Sequence, residues 1–326
     1  MKGVQVFRNT NLWSVLLPFC SLCTFPAVET TSAQSATSLT ELGDSPQSAH
    51  RLRLPVAPEE LDNAAKGEYI MSHYWDDFDF TDRGWIADTA SMEQVFADWA
   101  YVLLHLPAAK AAPLARRLMR DASVDDQMLL RFLDLSEHYF DDPNSPYRSE
   151  ELYIPVLEGA LATPRLDEIH KLRPRTQLKT ARKNRPGMPA AELTGTTVSG
   201  EKVRLRSLNG EHTLLLFYTP GCPECGRVER HIAASGVFTE LIQSGGLSVM
   251  AVYADEDFAA WRRHLPELPA TWTVVCDPEQ QINGRETYAL RAIPTLYLLD
   301  AQKRVVFKDA YVEQIESWLT KHYLLK

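Results

Sequence analysis

Positive charge is scarce in this sequence. Its 326 residues carry 34 Lys and Arg against 43 Asp and Glu, a formal net charge of −9. That balance argues against nucleic acid as a partner. Long apolar runs are missing too. The stretch Leu12 to Phe25 falls short of the roughly 20 residues that a membrane-spanning helix needs. It follows Lys2 and Arg8 and gives way to small and polar residues through Thr30-Thr31-Ser32-Ala33-Gln34. A basic start, an apolar centre and a small-residue end are the order of a secretory signal, here cleaved after Ala33, with Ala36 as the alternative site. Retention of the segment as a membrane anchor is the competing reading. No internal repeat is visible. What remains is ordinary globular composition, 45% apolar and 24% charged, in a length that fits one large domain or two of common size.

Cysteine is sparse as well. Of the five, cleavage would remove Cys20 and Cys23 and leave Cys222, Cys225 and Cys276. Phe19 and Leu22 precede the two early cysteines, where a lipoprotein signal would carry a small residue. An exported compartment permits disulfides, but three thiols leave one unpaired. A zinc site wants four ligands, usually two Cys pairs or a Cys pair with a His pair. The mature chain has no second Cys-x-x-Cys, and no closely spaced His pair follows the first, so no metal is expected. Haem attachment needs His directly after the second Cys, and Gly226 stands there. A purely structural disulfide is disfavoured because closing so short a loop removes little chain entropy.

Along the chain, residues 34–54 are rich in Ser, Ala, Pro and Gln and read as a flexible linker. From Pro55 to about Thr180 the apolar spacing is helical. Val95, Phe96, Trp99, Val102, Leu103 and Leu106 share one face of Met92–Leu106, and Ala111–Ala122 and Asp125–Phe140 repeat the period. Asp142-Pro143-Asn144-Ser145-Pro146 is a turn, and Ser149 is an N-cap followed by two acids. The segment HYWDDFDF, His73 to Phe80, reads as an aromatic-rich helix. Its acids do not make a calcium loop, because Asp82 holds the position that requires glycine. The basic run from Lys171 to Arg185 reads as a solvated helix and hinge. After Pro186-Gly187 the rhythm becomes that of strands: Leu214–Tyr218, Ser248–Ala254, Trp272–Cys276, Thr295–Asp300 and Arg304–Lys308, the last two as a hairpin. Helical patterns follow the first two strands and close the chain at Val312–Tyr323. The expected architecture is an all-α domain over 55–180 followed by an α/β domain over 186–326, a central mixed sheet flanked by helices.

The cysteine pair falls where a buried strand ends at Thr219-Pro220-Gly221 and a helix starts. Cys222 then meets the positive end of the helix dipole, which favours its thiolate. Cys225 follows one turn later, within reach of a mixed disulfide on Cys222. Residues 186–326 resemble the thioredoxin-like family, in particular exported thiol-disulfide oxidoreductases of the TlpA and ResA type. The resemblance is carried by PGMPAAELTGTTVSGEKVRLRSLNG, by LLLFYTPGCPEC and by RAIPTLYLLD. It implies that Cys222 is the nucleophile, Cys225 the resolving thiol and Pro294 a cis-proline beside them. It further implies that the Ile293 backbone pairs with a substrate strand, with Pro223 and Glu224 on the same substrate-facing surface. No cofactor is implied.

There are two departures from that family. Leu216 stands where thioredoxins keep a buried acid, and the motif interior is Pro-Glu. Glu224 or Glu229 could take over the proton-transfer role, with Glu229 expected in solvent. A negative charge at Glu224, between the cysteines, is expected to oppose the Cys222 thiolate and make the centre a reductant or exchanger. Cys276 is expected to be a small buried strand residue. Through YFDDPNSPYRSEELYIPVLE and HYWDDFDF the N-terminal half is similar to an uncharacterised helical domain found ahead of thioredoxin-like domains in exported bacterial proteins, a likeness that implies no activity.

The expected function is reduction or exchange of disulfides in exported proteins, in the periplasm of a Gram-negative bacterium, possible membrane association included. Expected partners are disulfide-containing proteins and an upstream membrane or exported electron donor. Two alternatives belong to other classes. One is a peroxiredoxin-like thiol peroxidase, with Thr219 and Arg291 stabilising the breaking peroxide bond beside Cys222. The other is a non-catalytic binding module on a thioredoxin scaffold.

Overall fold

The computed structural model of the protein describes residues 50–324. The expected signal segment, and the expected linker up to residue 49, lie outside the described residues. The chain divides into two compact units, one ending at Leu103 and the other running from Leu104.

Among the described residues, the first unit holds α1 (Asn63–Ser72), α2 (Gly84–Ala87) and α3 (Thr89–Leu104). Asp62 caps α1, its carboxylate accepting the Ala65 N–H at 2.8 Å. Met92, Phe96, Trp99 and Leu103 recur at helical spacing and are buried on α3. The segment His73–Phe80 corrects the expectation of an aromatic helix: α1 ends at Ser72 and turns follow. The reason is local. The Asp76 N–H donates to the His73 carbonyl and the Phe78 N–H to the Trp75 carbonyl, both at 3.1 Å and both turn bonds, and Asp79 closes the segment by accepting from the Thr81 N–H (2.9 Å) and hydroxyl (2.6 Å). Its aromatic rings therefore form a cluster instead of a stripe, with Trp75 5.3 Å from Phe78 and 5.8 Å from Trp99 between centroids.

The second unit opens with α4 (Ala108–Ala122), α5 (Asp126–Phe140), α6 (Glu150–Ala162) and α7 (Leu172–Ala181). Asp125 caps α5 through the Gln127 and Met128 N–H groups, both at 3.0 Å. Helices α4 and α6 approach closely at Gly159, where a Cβ would lie 3.0 Å from the Arg116 carbonyl oxygen. The basic run on and around α7 is solvated and ion-paired: Arg173 with Glu137, Arg175 with Glu168, Arg182 with Glu158.

A seven-stranded mixed sheet follows. Its strands are β1 (Thr194–Thr196), β2 (Lys202–Arg204), β3 (His212–Tyr218), β4 (Leu247–Tyr253), β5 (Thr273–Cys276), β6 (Thr295–Asp300) and β7 (Val305–Lys308), in the order β2-β1-β5-β4-β3-β6-β7. Strand β3 runs parallel to β4 and antiparallel to β6, placing Leu216 opposite Ala251 and Leu296. All of β3 is buried, because both of its faces are covered. On one face Leu214, Leu216 and Tyr218 join Val228 and Ile232 of α8 (Pro223–Ala234) and Ile315 of the C-terminal helix Val312–Leu319. On the other, Leu215 and Phe217 join Met250, Tyr288 and Tyr297. Two more helices, α9 (Gly236–Gln243) and α10 (Phe258–His264), flank β4, and the C-terminal helix is α11. Among the described residues, no helix is long and apolar enough to cross a membrane.

Candidate active site

Strand β3 delivers the chain to the C-terminal edge of the sheet, where Thr219-Pro220-Gly221 turns it into α8. Gly221 adopts φ +78°, a left-handed conformation that a side chain would strain. Pro223 occupies the first turn of α8, where its missing N–H leaves no bond unmade and its fixed φ suits the helix. Cys222 is thereby the N-cap. Its sulfur accepts the Cys225 N–H at 3.4 Å, and its carbonyl accepts the Gly226 N–H at 3.1 Å.

Both cysteines are free thiols. Cys222 is half-buried, and Cys225 is 1% exposed. Burial, followed by the Cys222 thiol as hydrogen-bond neighbour, pushes the Cys225 thiol far above its ordinary range. The sulfur of Cys222 also lies 3.8 Å from the Ile293 carbonyl oxygen, a weak S–H donation to the loop ahead of β6. The Ile293–Pro294 peptide bond is cis. Cys222, Cys225, Ile293 and Pro294, four residues singled out from sequence, thus converge from two distant segments.

Pro223 lines a cavity of about 490 Å³ together with Cys222, Cys225 and Gly226. Glu224 faces another side, a groove of about 280 Å³ shared with Ile293, Pro294, Tyr311 and the turn residues Pro143 and Asn144. The charge of Glu224 is not free. Arg227 donates to it at 2.8 Å and also to Glu313 at 2.7 Å. Glu224 is exposed, so its expected opposition to a thiolate is both screened and neutralised.

Glu229 corrects a sequence reading. Expected in solvent, it is 7% exposed and lies in the cavity that Cys225 lines. One carboxylate oxygen bonds His264 Nε2 at 3.2 Å, and the other has no hydrogen-bond partner. Burial holds this carboxyl above its usual range, with His264 working against the shift. The signal was present in the spacing. Glu229 follows Cys225 by four residues and Cys222 by seven, so all three share a face of α8. His264 carried no such signal, because α10 reaches the site only through the tertiary fold.

Arg291 and Thr219 do not serve Cys222. Arg291 pairs with Asp141 and, at 3.1 Å, with Glu150. Lys308 reaches Glu150 at 2.6 Å, and Arg148 reaches Asp309 at 3.0 Å. Three cations and three anions therefore lock the 141–150 turn and α6 to the loop that carries Pro294. Thr219 donates its hydroxyl to Asp255 at 3.0 Å. Neither residue that peroxide activation would need is available to it. Cys276 is buried in β5, where its sulfur sits 3.4 Å from the Thr196 carbonyl oxygen.

A mixed sheet that presents a Cys-x-x-Cys pair at a helix N-terminus defines a thioredoxin-like oxidoreductase. The chain belongs to the thioredoxin-like family. It is 37% identical to a thioredoxin-like protein from Bacteroides caccae, whose crystal structure it matches over 84% of its own length and 99% of that chain, with a TM-score of 0.81. The C-terminal domain of an uncharacterized protein from Bacteroides fragilis is 38% identical over 42% of this chain and 98% of its own, with a TM-score of 0.41. The AhpC/TSA family model matches residues 186–308, and a domain of unknown function, DUF5106, matches residues 27–184. Human nucleoredoxin is 25% identical over 120 residues, which span 36% of this chain and 27% of nucleoredoxin. The chain thus covers about a quarter of the length of the curated relatives it matches.

Proposed function

We propose that the protein is an exported thiol-disulfide oxidoreductase that reduces or exchanges disulfides in other exported proteins. Cys222 is its nucleophile and Cys225 its resolving thiol. The observation that carries this reading is the asymmetry of the pair: a half-buried Cys222 sulfur that caps a helix by accepting the Cys225 main-chain N–H, next to a Cys225 side chain that is almost fully buried. The Cys222 thiolate attacks one sulfur of a substrate disulfide and expels the other as a thiolate. Cys225 then attacks Cys222 in the mixed disulfide. The Cys222–Cys225 bond forms, the second substrate thiol leaves, and two electrons have passed to the substrate. No cofactor or metal enters these steps. An electron donor in the same compartment must reduce the pair again.

In this reading the substrate lies along Ile293 and Pro294, with Pro223 and Glu224 flanking it, and residues 186–326 are the redox domain. Residues 55–180 form the helical domain and 34–54 the linker, after a signal segment ending at Ala33. The AhpC/TSA match keeps a peroxidase as the second reading. Thr219 and Arg291, both engaged elsewhere, weigh against it. Trapping separates the two: Cys225→Ser expressed in its native compartment should retain partner proteins covalently on Cys222. Absence of adducts, together with fast sulfenic acid formation by hydrogen peroxide at Cys222, would favour the peroxidase instead.

A further inference from the structure

Resolution of a mixed disulfide needs the thiolate of Cys225, and Cys225 is almost fully buried. Burial leaves its thiol almost no direct contact with bulk water. Strand β3 carries no carboxylate, and Leu216 fills its central position below the motif. Glu229 is the buried carboxylate in the Cys225 cavity. Its side chain is 9% exposed, and one of its two oxygens is unpartnered. A buried carboxylate oxygen without a donor costs free energy unless its position serves a purpose. The other oxygen contacts His264 Nε2 at 3.2 Å, and His264 Nδ1 contacts Glu267 at 3.2 Å, whose side chain is 71% exposed. His264 itself is 11% exposed. Glu229, His264 and Glu267 all line the same cavity as both cysteines.

We propose that Glu229 is the proton acceptor for the resolving thiol Cys225, and that His264 and Glu267 pass that proton to solvent. This assignment rests on the oxidoreductase reading above. In the step, the Cys225 S–H proton moves to the free oxygen of Glu229. The Cys225 thiolate attacks the Cys222 sulfur, the Cys222–Cys225 bond forms, and the bond between Cys222 and the substrate sulfur breaks with its electron pair on the leaving thiolate. A single negative charge thus moves from carboxylate to sulfur within the cavity, and two adjacent anions are never held together. Such an exchange suits a closed site, where a second charge would be costly. The groups that set the balance are few. Glu229 faces His264, Glu267 and Arg230, and Cys225 faces Cys222 and Glu229. Glu229 acts on the thiol while His264 positions it and drains the proton, so the site draws one residue from α8, one from α10 and one from the turn that follows α10.

The two thiol steps can be watched separately by mixing the reduced full-length protein with a stoichiometric amount of nitrothiobenzoate disulfide, whose released thiol is coloured. The first release reports attack by Cys222 and depends on reagent concentration. The second reports attack by Cys225 and does not. Glu229→Gln should leave the first release unchanged and slow the second about a hundredfold at neutral pH, the loss expected for a general base. The same substitution removes a negative charge beside Cys225, so a purely electrostatic or structural role for Glu229 would leave the second release unchanged or make it faster. Either of those results overturns the assignment. His264→Asn should move the pH dependence of the second release without touching the first. The wild-type protein provides a check that needs no variant. Its second release should level off at high pH and fall on the acid side as Glu229 becomes protonated, and a rate that rises with hydroxide throughout overturns the relay. Loss of the first release in the wild type would instead remove the oxidoreductase reading itself, and the relay with it.

Discussion

Removing Arg291 tests how the helical half holds the redox loop. Its guanidinium bridges Asp141 and Glu150, three residues ahead of Pro294 in sequence. Arg291 and Asp141 are each 15% exposed and Glu150 is 16% exposed, so the cluster is largely desolvated. Breaking a buried pair from one side typically costs roughly 3–5 kcal/mol. Lys308 still holds Glu150 at 2.6 Å, so Arg291→Ala should lie near the lower end, about 3 kcal/mol. Arg291→Lys should recover about half of that, because an ammonium does not reproduce a two-pronged guanidinium. The pH dependence has a definite sign. Burial raises the carboxyls of Asp141, Glu150 and Asp309 above their ordinary range. A carboxyl raised in the folded state contributes stability that is fully present below its unfolded pKa and is lost as pH rises through its folded pKa. Without Arg291 all three carboxyls rise further, so their loss extends towards neutrality. Urea unfolding of the two proteins should therefore show a gap that is largest near neutral pH and shrinks towards about pH 5. A neutral-pH gap under about 1 kcal/mol, or one that widens in acid, would refute this account of the cluster.

Other outcomes follow from the same geometry. Alkylation of the reduced protein should label half-buried Cys222 before buried Cys225 and Cys276, as read by peptide mass spectrometry; equal labelling would remove the role assignment. Glu224→His should change the equilibrium potential against glutathione only slightly, by less than about 20 mV, because Glu224 is an exposed ion-pair partner of Arg227 worth at most about 1 kcal/mol. Cys276→Ala should leave disulfide exchange rates unaltered, since that thiol, buried in β5, is turned towards the Thr196 main-chain carbonyl of β1. Gly195→Ala should destabilise the fold by roughly 1–3 kcal/mol in denaturant titrations, because its Cβ would come within 2.2 Å of a Val275 methyl carbon.

Much of the α/β half was legible because strong local signals agree with the tertiary result. The strand Leu214–Tyr218 is continuously apolar and is buried on both faces. Proline and glycine then mark the turn, and the Cys spacing marks the helix start. The five strands read from sequence lie in the sheet, but β1 and β2 were not read. Each has three residues, and Gly195 at the centre of β1 has no side chain to show alternation. What fixes Gly195 is the nearness of Val275, a contact from a segment far along the chain. The helical half shows the same limit in reverse. Spacing identified α3 to α6, and it misread His73–Phe80, where aromatic residues at tempting intervals are held by turn bonds that Asp79 closes. The ion cluster around Arg291 was invisible for a related reason. Its six members are scattered from Asp141 to Asp309, and no local pattern joins them.

The two glutamates of α8 show why charge near a motif is not enough to assign it a role. Glu224 sits between the cysteines in sequence, so it invited an electrostatic argument. On a helix, though, neighbours in sequence diverge by about 100° per residue, and Glu224 projects away from the face that Cys225 occupies. There it meets Arg227, whose second partner is Glu313 on α11, and its charge is spent at the surface. Glu229 is farther in sequence and nearer in chemistry. Four residues beyond Cys225, it returns to the buried face with Val228 and Ile232 around it. An ion pair at the surface can shift a thiol only through water, where two charges 4 Å apart interact by about 1 kcal/mol. A carboxylate inside the cavity acts in a lower dielectric and can also receive the proton itself. The residue that governs Cys225 is therefore the one that shares its helical face, and the helical period, more than adjacency to the motif, is the feature to read first in such sequences.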